Sequence, residues 1–104
     1  VVVIKSDGNR ELFNREKILK GLLRATEKTP VTTVDIELLV ADVEKALQSR
    51  PEPEVSSKDV GGMVMERLAL LDDVAYVRFA SVYRRFSDIT GFEKELAKVR
   101  SKKS

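Results

Sequence analysis

The sequence predicts an α+β chain that is mostly α: an N-terminal β-hairpin, then four helices and a short extra C-terminal helix. Three observations lead to this. Val1-Val2-Val3-Ile4 is a β-branched and apolar run, which suits a pleated strand. Ser6-Asp7-Gly8-Asn9 follows it with turn-forming residues, so residues 10–13 can fold back as a second strand. Beyond Phe13 the apolar spacing becomes helical and stays so.

Each helix has its own signals. Asn14 is a preferred N-cap, and a first helix runs from it to about Lys28, ahead of Pro30. Phe13 and Ile18 flank that cap at the spacing of a hydrophobic staple, and Ile18, Leu19, Leu22 and Leu23 form its apolar stripe. Helices two and three begin alike. Val31-Thr32-Thr33-Val34-Asp35-Ile36 and Val55-Ser56-Ser57-Lys58-Asp59-Val60 both read apolar, hydroxyl, two residues, Asp, apolar. In that order the hydroxyl satisfies orphan amides and the Asp meets the positive end of the helix dipole. Ile36, Leu39, Val40, Val43 and Leu47 are the core side of helix two, which ends before Pro51-Glu52-Pro53; Val60, Met63, Val64, Leu68 and Leu71 are that of helix three. Gly61 and Gly62 weaken helix three by roughly 1 kcal/mol each relative to alanine, which points to something large approaching the backbone there. Helix four caps at Asp72 or Asp73 and runs through Phe86, with Tyr76, Phe79, Ala80 and Tyr83 on one face. A short fifth helix starts at Thr90, lined by Phe92, Leu96 and Val99, and ends in a basic tail.

Composition excludes several function classes. At 104 residues the chain fits one domain, 42% hydrophobic and 35% charged. Without cysteine there is no disulfide or thiolate metal site, and with no histidine either, a zinc centre is not expected. The missing histidine also removes the commonest general acid–base group. No nucleophile–base pair stands out, and Asp72 and Asp73 are explained as caps, so no enzyme is expected. No apolar run approaches the ~20 residues of a membrane span. A net charge of +2 does not by itself indicate a nucleic-acid partner. The chain begins in a strand and without methionine, and reads as part of something longer.

Two constellations could carry chemistry. Arg15 and Lys17 occupy the first turn of helix one, where the dipole prefers acids, and Lys5 and Arg10 lie on the adjoining hairpin. Cations gathered there repel one another unless an anion sits among them, and a helix N-terminus flanked by lysines suits a phosphate. The alternative is a set of solvated charges with Glu11 and Glu16 as partners. Neither Gly-x-Gly-x-x-Gly nor a Walker loop is present, so such a site follows neither common nucleotide-binding design. In helix four, Tyr76, Arg78, Phe79, Tyr83, Arg84 and Arg85 interleave aromatics with arginine, a pattern that can stack a base and grip phosphates. The alternative there is aromatics in the core and arginines in solvent.

At these residues the sequence resembles a known family. Val3-Ile4-Lys5-Ser6-Asp7-Gly8 with Glu11-Leu12-Phe13-Asn14-Arg15-Glu16-Lys17 is similar to the ATP-cone signature, a β-hairpin lid on a small four-helix bundle. Residues 74–86, Val-Ala-Tyr-Val-Arg-Phe-Ala-Ser-Val-Tyr-Arg-Arg-Phe, resemble the NrdR family of bacterial repressors of ribonucleotide reductase genes, as does the stretch from Leu23 to Val31. The resemblance implies a cytoplasmic regulator in which the cone, residues 1–90, senses ATP or dATP with Mg2+. Residues 91–104 would form a C-terminal helix and basic tail that serve as an assembly contact. It implies a homo-oligomer whose assembly depends on the nucleotide, and promoter DNA bound only through a zinc ribbon preceding Val1. Zinc would belong to that part alone, and no membrane is involved.

The same resemblance assigns site residues. Lys5 and Lys17 become phosphate ligands, and Val3 and the hairpin close over the nucleotide. Glu11 faces the sugar or adenine, or orders a lysine; Tyr76 and Tyr83 lie beside the base or sugar. Ser57 is a further candidate, although capping would account for it. Ser6 stands where the family commonly has arginine, which removes a possible phosphate contact, and Thr26 stands where cysteine is common. Two other readings remain at this level: the regulatory cone of a ribonucleotide reductase, and a small basic DNA-binding helical module using Arg24, Arg78, Arg84, Arg85 and the tail.

Overall fold

The computed structural model describes residues 1–5 and 7–83. The fifth helix, Arg84, Arg85 and Phe86, the C-terminal tail, Ser6 and the Tyr83 side chain lie outside the described residues.

The hairpin forms as its sequence predicts. Strand β1 (Val2–Ile4) pairs antiparallel with β2 (Arg10–Leu12), Val3 opposite Glu11. Its turn closes through Gly8 N–H donating to the Lys5 carbonyl at 2.9 Å, while Asp7 accepts from the backbone and side chain of Asn9. Gly8 has φ of 89°, a left-handed conformation that costs glycine little.

Helix α1 (Arg15–Ala25) starts where Asn14 Oδ1 accepts from the Lys17 amide at 3.2 Å. It ends before the expected Lys28. Thr26 is its C-cap, and the Thr26 hydroxyl donates to the Leu22 carbonyl at 2.8 Å; Lys28, at φ 60°, lies outside the helical region altogether. The Arg78 side chain then reaches over to donate to the Glu27 carbonyl at 2.5 Å and the Ala25 carbonyl at 3.3 Å, satisfying acceptors that a helix end leaves open.

Helix α2 (Thr33–Gln48) opens with a full capping box between Thr32 and Asp35, and every expected core position on it is buried. Helix α3 (Ser57–Leu71) is capped by Ser56, whose hydroxyl accepts from the Asp59 amide at 3.0 Å. Helix α4 (Asp73–Tyr83) is capped by Asp72, which accepts from the Ala75 amide at 2.9 Å. The core gathers where these four helices meet under the hairpin, around Leu22, Val40, Val43, Val64, Leu68 and Phe79.

Three expectations are corrected. Leu23 is 41% exposed, and Ala25 takes the buried place at the end of the α1 stripe. Leu71 is likewise on the surface and Met63 only half-buried, whereas Met65 is buried in full. At Gly62 a methyl group would meet nothing within 4 Å, so no close approach requires that glycine.

The largest addition is a third strand. β3 (Glu54–Ser56) pairs parallel with β1, Val3 beside Val55, giving the order β2-β1-β3. β1 is therefore the central strand, and the segment between α2 and α3 is more than a linker.

Candidate phosphate site on the hairpin

Alternation along a strand sorts the side chains of the sheet by face. Val3 and Val55 are 7% and 2% exposed, so the face that bears them packs on the helices. Glu11 stands opposite Val3 and shares that face, though on an edge strand where all three residues are exposed. Two register steps further, and so on the same face, Lys5 pairs with Asn9 through a backbone bond of 2.8 Å. On the parallel side Ser56 is paired with Ile4, and Ser57 follows it as the first residue of α3. Register thus puts Lys5 and Glu11 on the helix-facing side, while Ser57 opens α3 directly after the last residue of β3.

Lys17 joins them from the first turn of α1. Its Nζ lies 3.7 Å from Glu11 Oε1, the two side chains 60% and 42% exposed. Among the described residues Lys5 has no ion-pair partner. Ser57 differs from its sequence reading, since the capping hydroxyl belongs to Ser56; the Ser57 side chain makes no hydrogen bond among the described residues and is half-buried.

The other cations of the expected cluster are occupied elsewhere. Arg15 donates to Glu37 at 2.6 Å and Glu44 at 3.0 Å, tying α1 to α2. The hydrogen bond to Glu37, then that to Glu44, holds its guanidinium above the ordinary arginine value, against a smaller desolvation effect. Arg10 points to the outer face of the sheet and meets Glu54 at 2.6 Å, spanning β1; that hydrogen bond, with the attraction of the same carboxylate, raises its pKa as well. Glu16, expected as a possible partner, forms no ion pair among the described residues. The repulsion expected between Arg15 and Lys17 is therefore answered by α2 and by Glu11, and the cations left for a ligand are Lys5 and Lys17.

In α4 the core reading holds for Tyr76 and Phe79, 5% and 2% exposed. Arg78 is spent on the end of α1 rather than offered to an outside phosphate. The basic DNA-binding module thereby loses one of its grips, and two more of its arginines lie outside the described residues.

A separate cleft of about 270 Å3 lies at the opposite end of the hairpin, lined by Val1, Leu12, Phe13, Glu44, Leu47 and Gln48. It offers no cationic side chain, and its one carboxylate already belongs to Arg15. Among the described residues no group of three or more His, Cys, Asp or Glu could hold a metal ion, and no helix is long and apolar enough to cross a membrane.

Comparison with known proteins identifies the family. Residues 1–89 match the model of the ATP cone domain. The chain is 55% identical over 102 residues to the transcriptional repressor NrdR of Shouchella clausii, covering 98% of this chain and 68% of that protein. It is 56% identical over 96 residues to the NrdR of Brevibacillus brevis, covering 92% of this chain and 60% of the relative. With the NrdR of Acetivibrio thermocellus the identity is 52% over 103 residues, covering 99% and 68%. The chain thus spans about two thirds or less of the length of these relatives, which are named as repressors and not as catalysts. It is a regulatory chain rather than an enzyme, and it belongs to the ATP-cone domain family and, with these relatives, to the NrdR transcriptional repressors.

Proposed function

We propose that this chain is the adenine-nucleotide sensor of a transcriptional repressor, binding ATP or dATP, with Mg2+, where the hairpin meets α1 and α3. Lys5 and Lys17 take the phosphates, the hairpin around Val3 covers the nucleotide, and Ser57 is free to accept or donate at its edge. Glu11 turns to the sugar or adenine. The observation that carries the reading is a pair of lysines from two different elements, Lys17 with Glu11 as its one carboxylate partner and Lys5 with none among the described residues. That arrangement is short of one negative charge, and a triphosphate supplies it.

The wider role rests on the repressor relatives and on the resemblance. In it, bound nucleotide shifts the assembly of a homo-oligomer, and a zinc ribbon in the longer protein carries the DNA contact. Leu70, Leu71 and Val74, all exposed where α3 meets α4, offer apolar surface for such an assembly, alongside residues 91–104. For a switch, the two nucleotides must differ in affinity for the two assemblies. The location proposed is the cytoplasm.

Calorimetric titration with ATP and then dATP tests the site. A hydrogen bond to a charged group predicts about a ten- to hundredfold loss of affinity in Lys17→Ala. Equal binding by the native chain and the variant would remove the phosphate role.

A further inference from the structure

The contact between Glu11 and Lys17 calls for a reason beyond folding. Both side chains are open to water at 3.7 Å separation, and exposed pairs of this kind contribute little to stability. β2 does not depend on it, since pairing with β1 and the Arg10–Glu54 bridge already hold that strand. What the contact does is place a carboxylate on an ammonium that would otherwise face solvent. Carboxylate and phosphate oxygens are equivalent partners for an ammonium, each accepting a charge-assisted hydrogen bond. The same lysine cannot give its full donor capacity to both.

We infer that Glu11 is an internal counter-ion, seated on Lys17 until a phosphate arrives and displaced by it, so that it raises the concentration at which the site fills. This rests on the nucleotide-binding reading of the same site and adds a regulatory device to it. Lys5, which has no carboxylate partner among the described residues, is the cation that an anion meets first. Lys17 is released second, as Glu11 yields. The carboxylate sits on the exposed edge strand, so it can swing off the lysine without disturbing the buried Val3–Val55 pair. It belongs to the hairpin and the lysine to α1, so filling the site also unfastens one link between these elements.

The experiment is calorimetric titration of the native chain, Glu11→Gln and Glu16→Gln with inorganic tripolyphosphate and with ATP, alongside Lys17→Ala. Glu16 is exposed on the first turn of α1 and unpaired among the described residues, so its variant removes the same charge without freeing Lys17. Glu11→Gln is expected to bind tripolyphosphate about two- to fivefold tighter than the native chain, the range set by an exposed ion pair, with a distinctly smaller change in Glu16→Gln. Equal gains in both variants would mean general electrostatics and overturn the inference, as would weaker tripolyphosphate binding in Glu11→Gln. If Lys17→Ala loses ATP while Glu11→Gln gains nothing, the counter-ion role falls and the nucleotide site stands. If Lys17→Ala binds ATP as the native chain does, both fall. Thermal melts of each variant confirm folding, which the exposure of both glutamates leads us to expect.

Discussion

Val3 and Val55 lie side by side in parallel strands, both buried. This one pairing joins two segments half a chain apart and sets the β-hairpin against the start of α3. Truncation should therefore be felt in the fold. Val55→Ala leaves a cavity under the hairpin and is expected to destabilise by about 1–3 kcal/mol. In thermal denaturation a domain of this size loses roughly 4–8 °C per kcal/mol. An unchanged melting temperature would mean that β3 adds no packing.

Gly62 gives the opposite expectation. It lies in α3 with open space where a side chain would project, and without positive φ. Gly62→Ala should stabilise the free chain by about 0.5–1 kcal/mol, because alanine has less backbone freedom to lose and suits a helix better. A fall in melting temperature would show that the space is needed by the protein itself. If ATP binding weakened while the melt rose, the space would belong to the ligand.

Arg15 tests the division of the cations. Arg15→Met keeps much of the stem but loses Glu37 and Glu44, and should lower the urea midpoint modestly. Its pKa is raised in the folded state, so its contribution is fully present below the unfolded value and is lost only as pH rises through the folded one. Both lie far into the alkaline range. The gap between native and variant should therefore be constant from about pH 6 to pH 9, and should shrink with added salt because the pair is partly open to solvent. Nucleotide affinity should change far less than in Lys17→Ala. A large loss of ATP binding would return Arg15 to the phosphate site.

Local chemistry made most of the frame legible. Asn14, Thr32 with Asp35, Ser56 and Asp72 all cap where their sequence context predicts, since a cap needs only residues within one turn. The hairpin was legible for the same reason, as turn and strands are neighbours along the chain. The third strand was not. Glu54, Val55 and Ser56 form too short a run to show a period of two, and they become a strand only because β1 offers a partner. Leu23 and Leu71 show the same limit: helical spacing names a stripe, but which of its edges is covered depends on the neighbouring helix.

For the proposed site, the candidates Lys5, Glu11 and Lys17 came from a short motif around a turn and a cap that resembles the ATP-cone signature. Which of the nearby cations remain available was decided only by tertiary structure. Glu37, Glu44 and Glu54 come from distant segments to take Arg15 and Arg10, and the end of α1 takes Arg78. The physical reason is range. Capping and turn formation act within a few residues and are written locally, whereas an ion pair or a parallel strand pairing depends on where the folded core delivers its partner.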